Sequence, residues 1–160
     1  MTPPRSLLFV CLGNICRSPL AEGIFLHLAE QRGVAGDFTV DSAGTGHWHV
    51  GERPDRRASQ VASRHHVILP SIARQVDPAS DFDRFDLILP MDLDNRRDLL
   101  SLGAPPFKVR LMRSFDVELA DAPDAQLVVP DPYFGDGDGF ERVFAMLRQA
   151  CDGLLDELLE

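Results

Sequence analysis

Cysteine and long apolar runs are both scarce in this sequence of 160 residues. Three cysteines are an odd, low count that provides no disulfide framework, which argues against a small disulfide-stabilised secreted domain. No apolar run approaches the ~20 residues of a membrane helix. Residues 1–5 lead into a short apolar stretch that lacks the longer hydrophobic core of a signal peptide. We therefore expect a cytoplasmic protein with reduced thiols and no membrane partner.

Positive charge is also in short supply. The sequence has 16 lysine and arginine residues against 25 aspartates and glutamates, for a formal net charge of −9 at pH 7. Because nucleic-acid affinity depends on clustered cations, we expect no nucleic-acid partner, and an anionic ligand must be held by local positive groups. Internal repeats, low-complexity tracts and linkers are absent too, which predicts a single domain over residues 1–160.

The most informative stretch lies near the start of the chain. Residues 7–10 are apolar and predict a short buried strand. Gly13 and Asn14 follow, and these two residue types tolerate positive φ best. Ser18 and Pro19 then signal the start of a helix. A loop held between a strand and a helix start can point successive backbone N–H groups inward, so this stretch predicts a nest for an anion.

Cys11 and Arg17 add reactive chemistry to that nest. A thiol attacks only as the thiolate, and positive charge or a helix N-terminus favours that form. Arginine can hold two phosphate oxygens at once with its planar fork. A buried structural cysteine beside a surface arginine is the simpler interpretation, but the strand, turn and helix-start pattern disfavours it. The predicted phosphate-binding residues are Leu12, Gly13, Asn14, Ile15, Cys16, Arg17 and Ser18.

This stretch, residues 10–19 with the letters VCLGNICRSP, resembles the signature of the low-molecular-weight protein tyrosine phosphatases. Residues 41–45, 85–98 and 130–135 match the family in the same order, so the resemblance spans nearly the whole chain. It implies a cysteine-dependent phosphatase acting on phosphotyrosine in proteins, with a tyrosine kinase as a candidate further partner. It also implies a small doubly wound α/β fold.

The alternation of strand and helix patterns independently predicts a parallel sheet with helices on both faces. Four strands are expected, in a flavodoxin-like arrangement with the phosphate loop at a topological switch point. They lie near residues 6–10, 38–41, 86–90 and 108–111, and helical patterns follow the loop as far as Gly33 and cover residues 55–65, 95–102 and 140–160.

The catalytic residues expected from this pattern are Cys11, Arg17 and Asp131. Cys11 attacks phosphorus while the loop amides and Arg17 stabilise the phosphate oxygens. Asp131, on a loop stiffened by Pro132, protonates the departing oxygen and then activates water. Ser18 donates a hydrogen bond to Cys11 when the thiolate leaves. We expect no metal and no cofactor, because the arginine and the amides stabilise the charge.

Supporting residues are expected around the loop. Ser42, at the end of a predicted strand, hydrogen-bonds Asn14 and holds the loop in shape, as the resemblance also implies. Many family members carry a histidine where this chain has Ser71, which predicts an altered network. Asp92 is expected either at the rim of the phosphate site or as an acid favoured by a helix dipole.

The predicted substrate rim consists of Trp48 and Tyr133. Ile15 and Tyr133 favour a flat aryl substrate, whereas protein-arginine phosphatases of the same family tend to have threonine in place of Ile15.

Several alternative functions stay open. An arsenate reductase would need more relay cysteines than Cys151, which is expected to fill the core. The loop could also serve as a non-enzymatic phosphate-binding or redox-sensing module, or as a structural element that binds nothing. Cys16 either captures oxidised Cys11 as a disulfide or only packs beneath the loop.

Overall fold

Three parallel strands form the centre of the fold in this computed structural model, which describes residues 3–135 and 137–160. The strands are β1 (Ser6–Cys11), β2 (Thr39–Gly44) and β3 (Leu87–Pro90), in the spatial order β2-β1-β3. In the parallel register, Leu7 lies opposite Val40 on one side and Leu87 on the other. Met1, Thr2 and Asp136 lie outside the described residues.

Five α-helices accompany the sheet: α1 (Arg17–Gln31), α2 (Arg56–Arg64), α3 (Asp81–Arg84), α4 (Leu93–Ser101) and α5 (Gly139–Leu158). Short 3₁₀ helices cover Ala35–Asp37, Pro106–Lys108, Met112–Phe115, Val117–Leu119 and Asp124–Gln126. Among the described residues, no helix combines the length and the apolar character needed to cross a bilayer.

The sheet buries both of its faces because β1 is apolar at successive positions. Leu7 and Phe9 point into a cluster that includes residues of α1, α2 and α5. Leu8 and Val10 point the other way, into a cluster with α3 and α4. Since alternate residues of a strand face opposite sides, the continuous apolar run of β1 requires helices on both faces, as the sequence predicts.

The fourth predicted strand, near residues 108–111, does not form. Val109 makes one isolated parallel bridge to Ile88, and Arg110 donates its backbone N–H to the Ile88 carbonyl over 3.1 Å. The N–H groups of Lys108 and Val109 bond back to the carbonyls of residues 105 and 106 instead. Leu111 then leads directly into the 3₁₀ helix Met112–Phe115. The prediction of a four-stranded sheet is therefore wrong, and the described sheet has three strands.

The loop between β1 and α1 lies at the carboxyl edge of the central strand. The chain continues from β1 to β2 on one side and later to β3 on the other, which creates the switch point where open α/β sheets collect ligands. Gly44, at the end of β2, lets this loop approach closely. A Cβ on Gly44 would lie 2.7 Å from the Leu12 carbonyl oxygen, so a side chain there would displace the loop.

Candidate active site

Cys11 is the last residue of β1 and lies at the bottom of the loop, where its side chain is buried. The backbone N–H of Asn14 donates to Cys11 Sγ over 3.3 Å, and Ser18 Oγ lies 3.0 Å from the same sulfur. Asn14 has a φ of 58°, in the left-handed region expected for the turn. The loop therefore curls around the thiol and directs hydrogen-bond donors at it.

The side-chain amide of Asn14 braces the loop from behind. Its Nδ2 donates to Ser18 Oγ over 2.8 Å and to Ser42 Oγ over 3.0 Å. Its Oδ1 accepts the backbone N–H of Arg74 over 3.0 Å. Because Ser18 Oγ accepts from Asn14, its single proton is free to be donated to Cys11. The structure thus brings together the supporting residues predicted from the sequence and adds Arg74.

Glu22 extends this network into the core, and the sequence pattern assigns it no role. Ser42 Oγ donates to Glu22 Oε1 over 2.6 Å and lies 3.2 Å from Ser71 Oγ. Ser71 therefore joins the network through Ser42 and Glu22, not through a direct contact with the loop asparagine. Glu22 follows Ser18 by four residues on α1, a spacing that places both side chains on one helix face.

Burial raises the pKa of the Glu22 carboxyl above its ordinary value. Hydrogen bonds from Ser42 and Ser71 oppose this rise, the negative charge of Asp41 adds to it, and Arg74 opposes it. The net direction is upward because the carboxyl is almost completely removed from water. The fold therefore shifts the protonation of Glu22 toward the neutral form relative to the unfolded chain.

Arg17, the first residue of α1, is buried beside two carboxylates. Its Nη1 donates to Asp92 Oδ2 over 2.6 Å and to the Val129 carbonyl over 3.0 Å, and its Nη2 lies 3.6 Å from Asp131 Oδ2. Burial alone would lower the pKa of Arg17, but the charges of Cys11, Asp92 and Asp131 outweigh it and raise the pKa. The guanidinium is a permanent positive charge at the site.

Asp92 combines a place at the start of α4 with a contact to Arg17 of the phosphate loop. One carboxylate oxygen holds Arg17, and the other accepts the backbone N–H of Asn95 over 2.7 Å at the start of α4. The same side chain therefore caps a helix and orients the arginine. The carboxylate therefore links the guanidinium to the start of α4.

A cleft of about 260 Å³ opens above the loop, and Cys11, Arg17, Asp131, Trp48 and Tyr133 all line it. The predicted nucleophile, cation, acid and rim residues thus share one cavity. Among the described residues, the sequence-predicted members that do not line this cleft are Asn14, Ser18 and Ser42, which form the hydrogen-bond network behind the loop.

Aromatic rings form the walls of the cleft. The rings of His49 and Tyr133 lie 6.0 Å apart between centroids, and Trp48 stacks on His47 at 5.6 Å. Phe134 packs edge-on against Tyr133 at 4.8 Å and is 90% exposed. The sequence pattern assigns no role to Phe134, because an exposed aromatic has no periodicity that marks it. These walls are suited to a flat aromatic group.

The cysteines differ in environment. Burial raises the pKa of the Cys16 thiol, and the charge of Asp55 raises it further. Cys11, Cys16 and Cys151 are all free thiols. Cys151 is fully buried on α5, where burial also raises its pKa, and packs against α1 with its Sγ 3.5 Å from the Ala21 carbonyl. Its position agrees with the core role expected from the sequence.

The substitution Glu22→Gln tests the electrostatics of the network. Since the folded-state pKa of Glu22 lies above the unfolded value of about 4.3, its contribution to stability is fully present below that pH. It is lost as the pH rises through the folded pKa. Glutamine keeps an acceptor for Ser42 but cannot ionise. We expect the free energy of unfolding of Glu22→Gln relative to wild type to increase between pH 4.5 and 8, measured by urea denaturation.

The control is Glu30→Gln, an exposed glutamate on the same helix, whose substitution should leave the pH dependence unchanged. Each pKa unit corresponds to about 1.4 kcal/mol in this comparison. A difference between Glu22→Gln and wild type that stays constant over the pH range would show that the carboxyl does not titrate as inferred.

Comparison with known proteins identifies the family. The family model described as low molecular weight phosphotyrosine protein phosphatase matches residues 6–160. The human low molecular weight phosphotyrosine protein phosphatase is 38% identical over 157 residues, which cover 96% of this chain and 95% of the human protein.

Solved structures are similar in fold as well. A protein tyrosine phosphatase from Entamoeba histolytica, crystallised with Hepes in its active site, has a TM-score of 0.87 and 38% identity, with 97% of both chains covered. A Drosophila arginine phosphatase has a TM-score of 0.84 and 33% identity, covering 94% of this chain and 96% of its own. With a family match that extends over nearly the whole chain, the protein belongs to the low molecular weight phosphotyrosine protein phosphatases, a family of hydrolases.

Proposed function

We propose that the protein hydrolyses phosphotyrosine in proteins, and small aryl phosphates, through a phosphocysteine intermediate. One observation carries the proposal: a buried thiol that accepts a loop N–H shares a small cleft with a permanently charged arginine and an aspartate. This set supplies a nucleophile, a clamp for phosphate oxygens and a proton donor. Family membership supports the reaction class.

In the first step, the Cys11 thiolate attacks phosphorus and the bond from phosphorus to the tyrosine oxygen breaks. The loop amides and Arg17 stabilise the equatorial oxygens, on which negative charge accumulates. Asp131 gives its proton to the departing phenolate oxygen. Tyr133 donates its backbone N–H to Asp131 Oδ1 over 3.0 Å, so Oδ2 is the oxygen left to face Arg17 and the reacting group.

In the second step, water attacks the phosphocysteine while the Asp131 carboxylate takes its proton. The bond between sulfur and phosphorus breaks, and the electron pair returns to Cys11. Ser18 Oγ and the Asn14 N–H then stabilise the thiolate, since both lie within hydrogen-bond distance of Sγ. Inorganic phosphate leaves and the enzyme regains its starting state.

Two substrate classes are supported by different observations. The aromatic walls of Trp48 and Tyr133, together with the apolar side chain of Ile15, favour a phosphorylated ring. Phosphoarginine is the second candidate, because an arginine phosphatase shares the fold at 33% identity. Ile15 supports the first class, because the family's arginine phosphatases tend to carry threonine at this position.

Matched peptides that differ only in phosphotyrosine, phosphoserine or phosphoarginine test the substrate class. We expect kcat/KM for phosphotyrosine to exceed the other two by about tenfold or more, because ring stacking and apolar burial add ~1–3 kcal/mol. Cys11→Ser should be inactive on all three peptides, which excludes a contaminating phosphatase.

The substitution Ile15→Thr should narrow the ratio of phosphotyrosine to phosphoarginine turnover, since it removes apolar surface from the pocket. If the wild type hydrolyses the phosphoarginine peptide fastest, the protein is an arginine phosphatase and the tyrosine proposal is wrong.

We also propose that Cys11 is oxidised reversibly. Thiols in the reducing cytoplasm that the sequence predicts would restore it. Peroxide oxidises the Cys11 thiolate to a sulfenic acid, and attack by the Cys16 thiolate then forms a disulfide and releases water. Burial disfavours the Cys16 thiolate, so capture should be faster at higher pH.

We expect Cys16→Ser to be active but to recover less activity than wild type when dithiothreitol is added after peroxide. The gap should widen between pH 6 and 8.5, and mass spectrometry of the wild type should find a cross-linked Cys11–Cys16 peptide. Cys151→Ser is the matched control, because that thiol is buried away from the loop. If wild type and Cys16→Ser recover the same activity, Cys16 does not capture oxidised Cys11 and only packs beneath the loop.

A further inference from the structure

Arg57, in the first turn of α2, joins two parts of the site that are far apart in sequence. Its Nη2 donates to the backbone carbonyl of Tyr133 over 3.1 Å. The same guanidinium pairs with Asp55, with Nε 3.1 Å from Oδ1 and Nη2 3.0 Å from Oδ2. Tyr133 lies two residues after Asp131. A cation on α2 is therefore hydrogen-bonded to the segment that carries the acid, residues 130–135, which we call the acid loop.

Asp55 connects Arg57 to the phosphate loop. Its backbone N–H donates to the Ile15 carbonyl over 2.7 Å. Its carboxylate accepts the backbone N–H of Arg57 over 2.8 Å and so caps α2. A continuous path of hydrogen bonds therefore runs from Ile15 through Asp55 and Arg57 to Tyr133.

The planar face of the guanidinium adds a second kind of contact. It lies over the ring of Tyr133 at 5.5 Å and over the ring of Phe140, at the start of α5, at 4.7 Å. A cation over an aromatic face is attracted by the negative charge of that face, so both contacts stabilise this position of the guanidinium. Arg57 thus touches the acid loop and the helix that follows it.

The acid loop has few other attachments. Pro130 and Pro132 lack backbone N–H groups, and the N–H groups of Tyr133 and Gly135 bond within the loop itself. Within the described residues of 130–135, the bond from Arg57 to Tyr133 is the one hydrogen bond to another element of the fold. Arg17 lies 3.6 Å from Asp131, an ion-pair distance that is long for a hydrogen bond.

We propose that Arg57 is a positioning residue that holds the Asp131–Tyr133 segment over the phosphate loop in register for proton transfer. The proposal rests on the acid role of Asp131 in the proposed function. General acid catalysis contributes about 10²–10⁴-fold, and a displacement of ~1 Å can cost 10²-fold. Loss of Arg57 should therefore remove part of the Asp131 contribution while the phosphate loop keeps its shape.

The test measures kcat/KM for aryl phosphates whose leaving phenols range from acidic to weakly acidic. In Arg57→Met, we expect a loss of about tenfold or more for the poorest leaving group and little loss for the most activated one. Arg57→Lys keeps the positive charge but not the fork, and should recover part of the loss. Asp131→Ala calibrates the full effect, and Arg57→Met should add little to it in the double variant.

Arg64→Met is the matched control. Arg64 also lies on α2 and pairs with α5, through Glu141 at 3.0 Å, but it does not touch the acid loop. Its substitution should leave the leaving-group dependence unchanged. Vanadate inhibition provides a second control, since affinity for this phosphate analogue reports the loop amides and Arg17. It should be the same in Arg57→Met and wild type.

Hydrogen–deuterium exchange provides a readout that does not depend on the chemistry. Exchange in peptides covering residues 131–135 should rise in Arg57→Met and not in Arg64→Met. If Arg57→Met slows all substrates equally and weakens vanadate binding, Arg57 supports the phosphate loop and the proposal is wrong. Unchanged exchange and unchanged leaving-group dependence would also overturn it.

The Asp131→Ala variant alone tests whether Asp131 is the acid of the proposed function. If Asp131→Ala leaves the leaving-group dependence as in wild type, Asp131 is not the acid. The exchange measurement then still decides whether Arg57 holds the segment.

Discussion

The side chain of Asn14 is the constraint on which the rest of the site depends. Its backbone is left-handed, and its amide is fixed by Arg74 on one side and by two serines on the other. This arrangement turns the Asn14 N–H toward Cys11 and leaves the Ser18 proton for the same sulfur. A free amide would allow the loop to relax and would lose the convergence of donors that stabilises a thiolate.

The site fixes one buried positive charge, Arg17, in a protein whose net charge is −9. Arg17 is buried and bonded to Asp92, which caps α4, so the cation is held by a side chain that is itself anchored to a helix. A charge that is already oriented requires no reorganisation when phosphate oxygens gain negative charge. The acidic surface elsewhere does not oppose it strongly, because water and salt screen distant exposed charges.

The sequence predicts the local parts of this site well and the long-range parts poorly. The turn residues, the helix start and the apolar strand lie within thirteen positions, so residues 7–19 are sufficient to anticipate the phosphate loop. Glu22 and Arg57 act through partners that are distant in sequence, and a charged side chain on a helix carries no pattern that distinguishes it from a solvated one. The predicted fourth strand fails because backbone donors near residue 108 are used within a local turn.

In the proposed mechanism, Cys11 carries the phosphoryl group between the two steps. Rapid acid quenching of the wild-type enzyme during turnover of a phosphotyrosine peptide, followed by proteolysis and mass spectrometry, tests it directly. We predict phosphate on the peptide that contains Cys11, at a level that rises within the first turnover. Phosphate on a different side chain, or turnover by Cys11→Ser at the wild-type rate, would show that Cys11 is not the nucleophile.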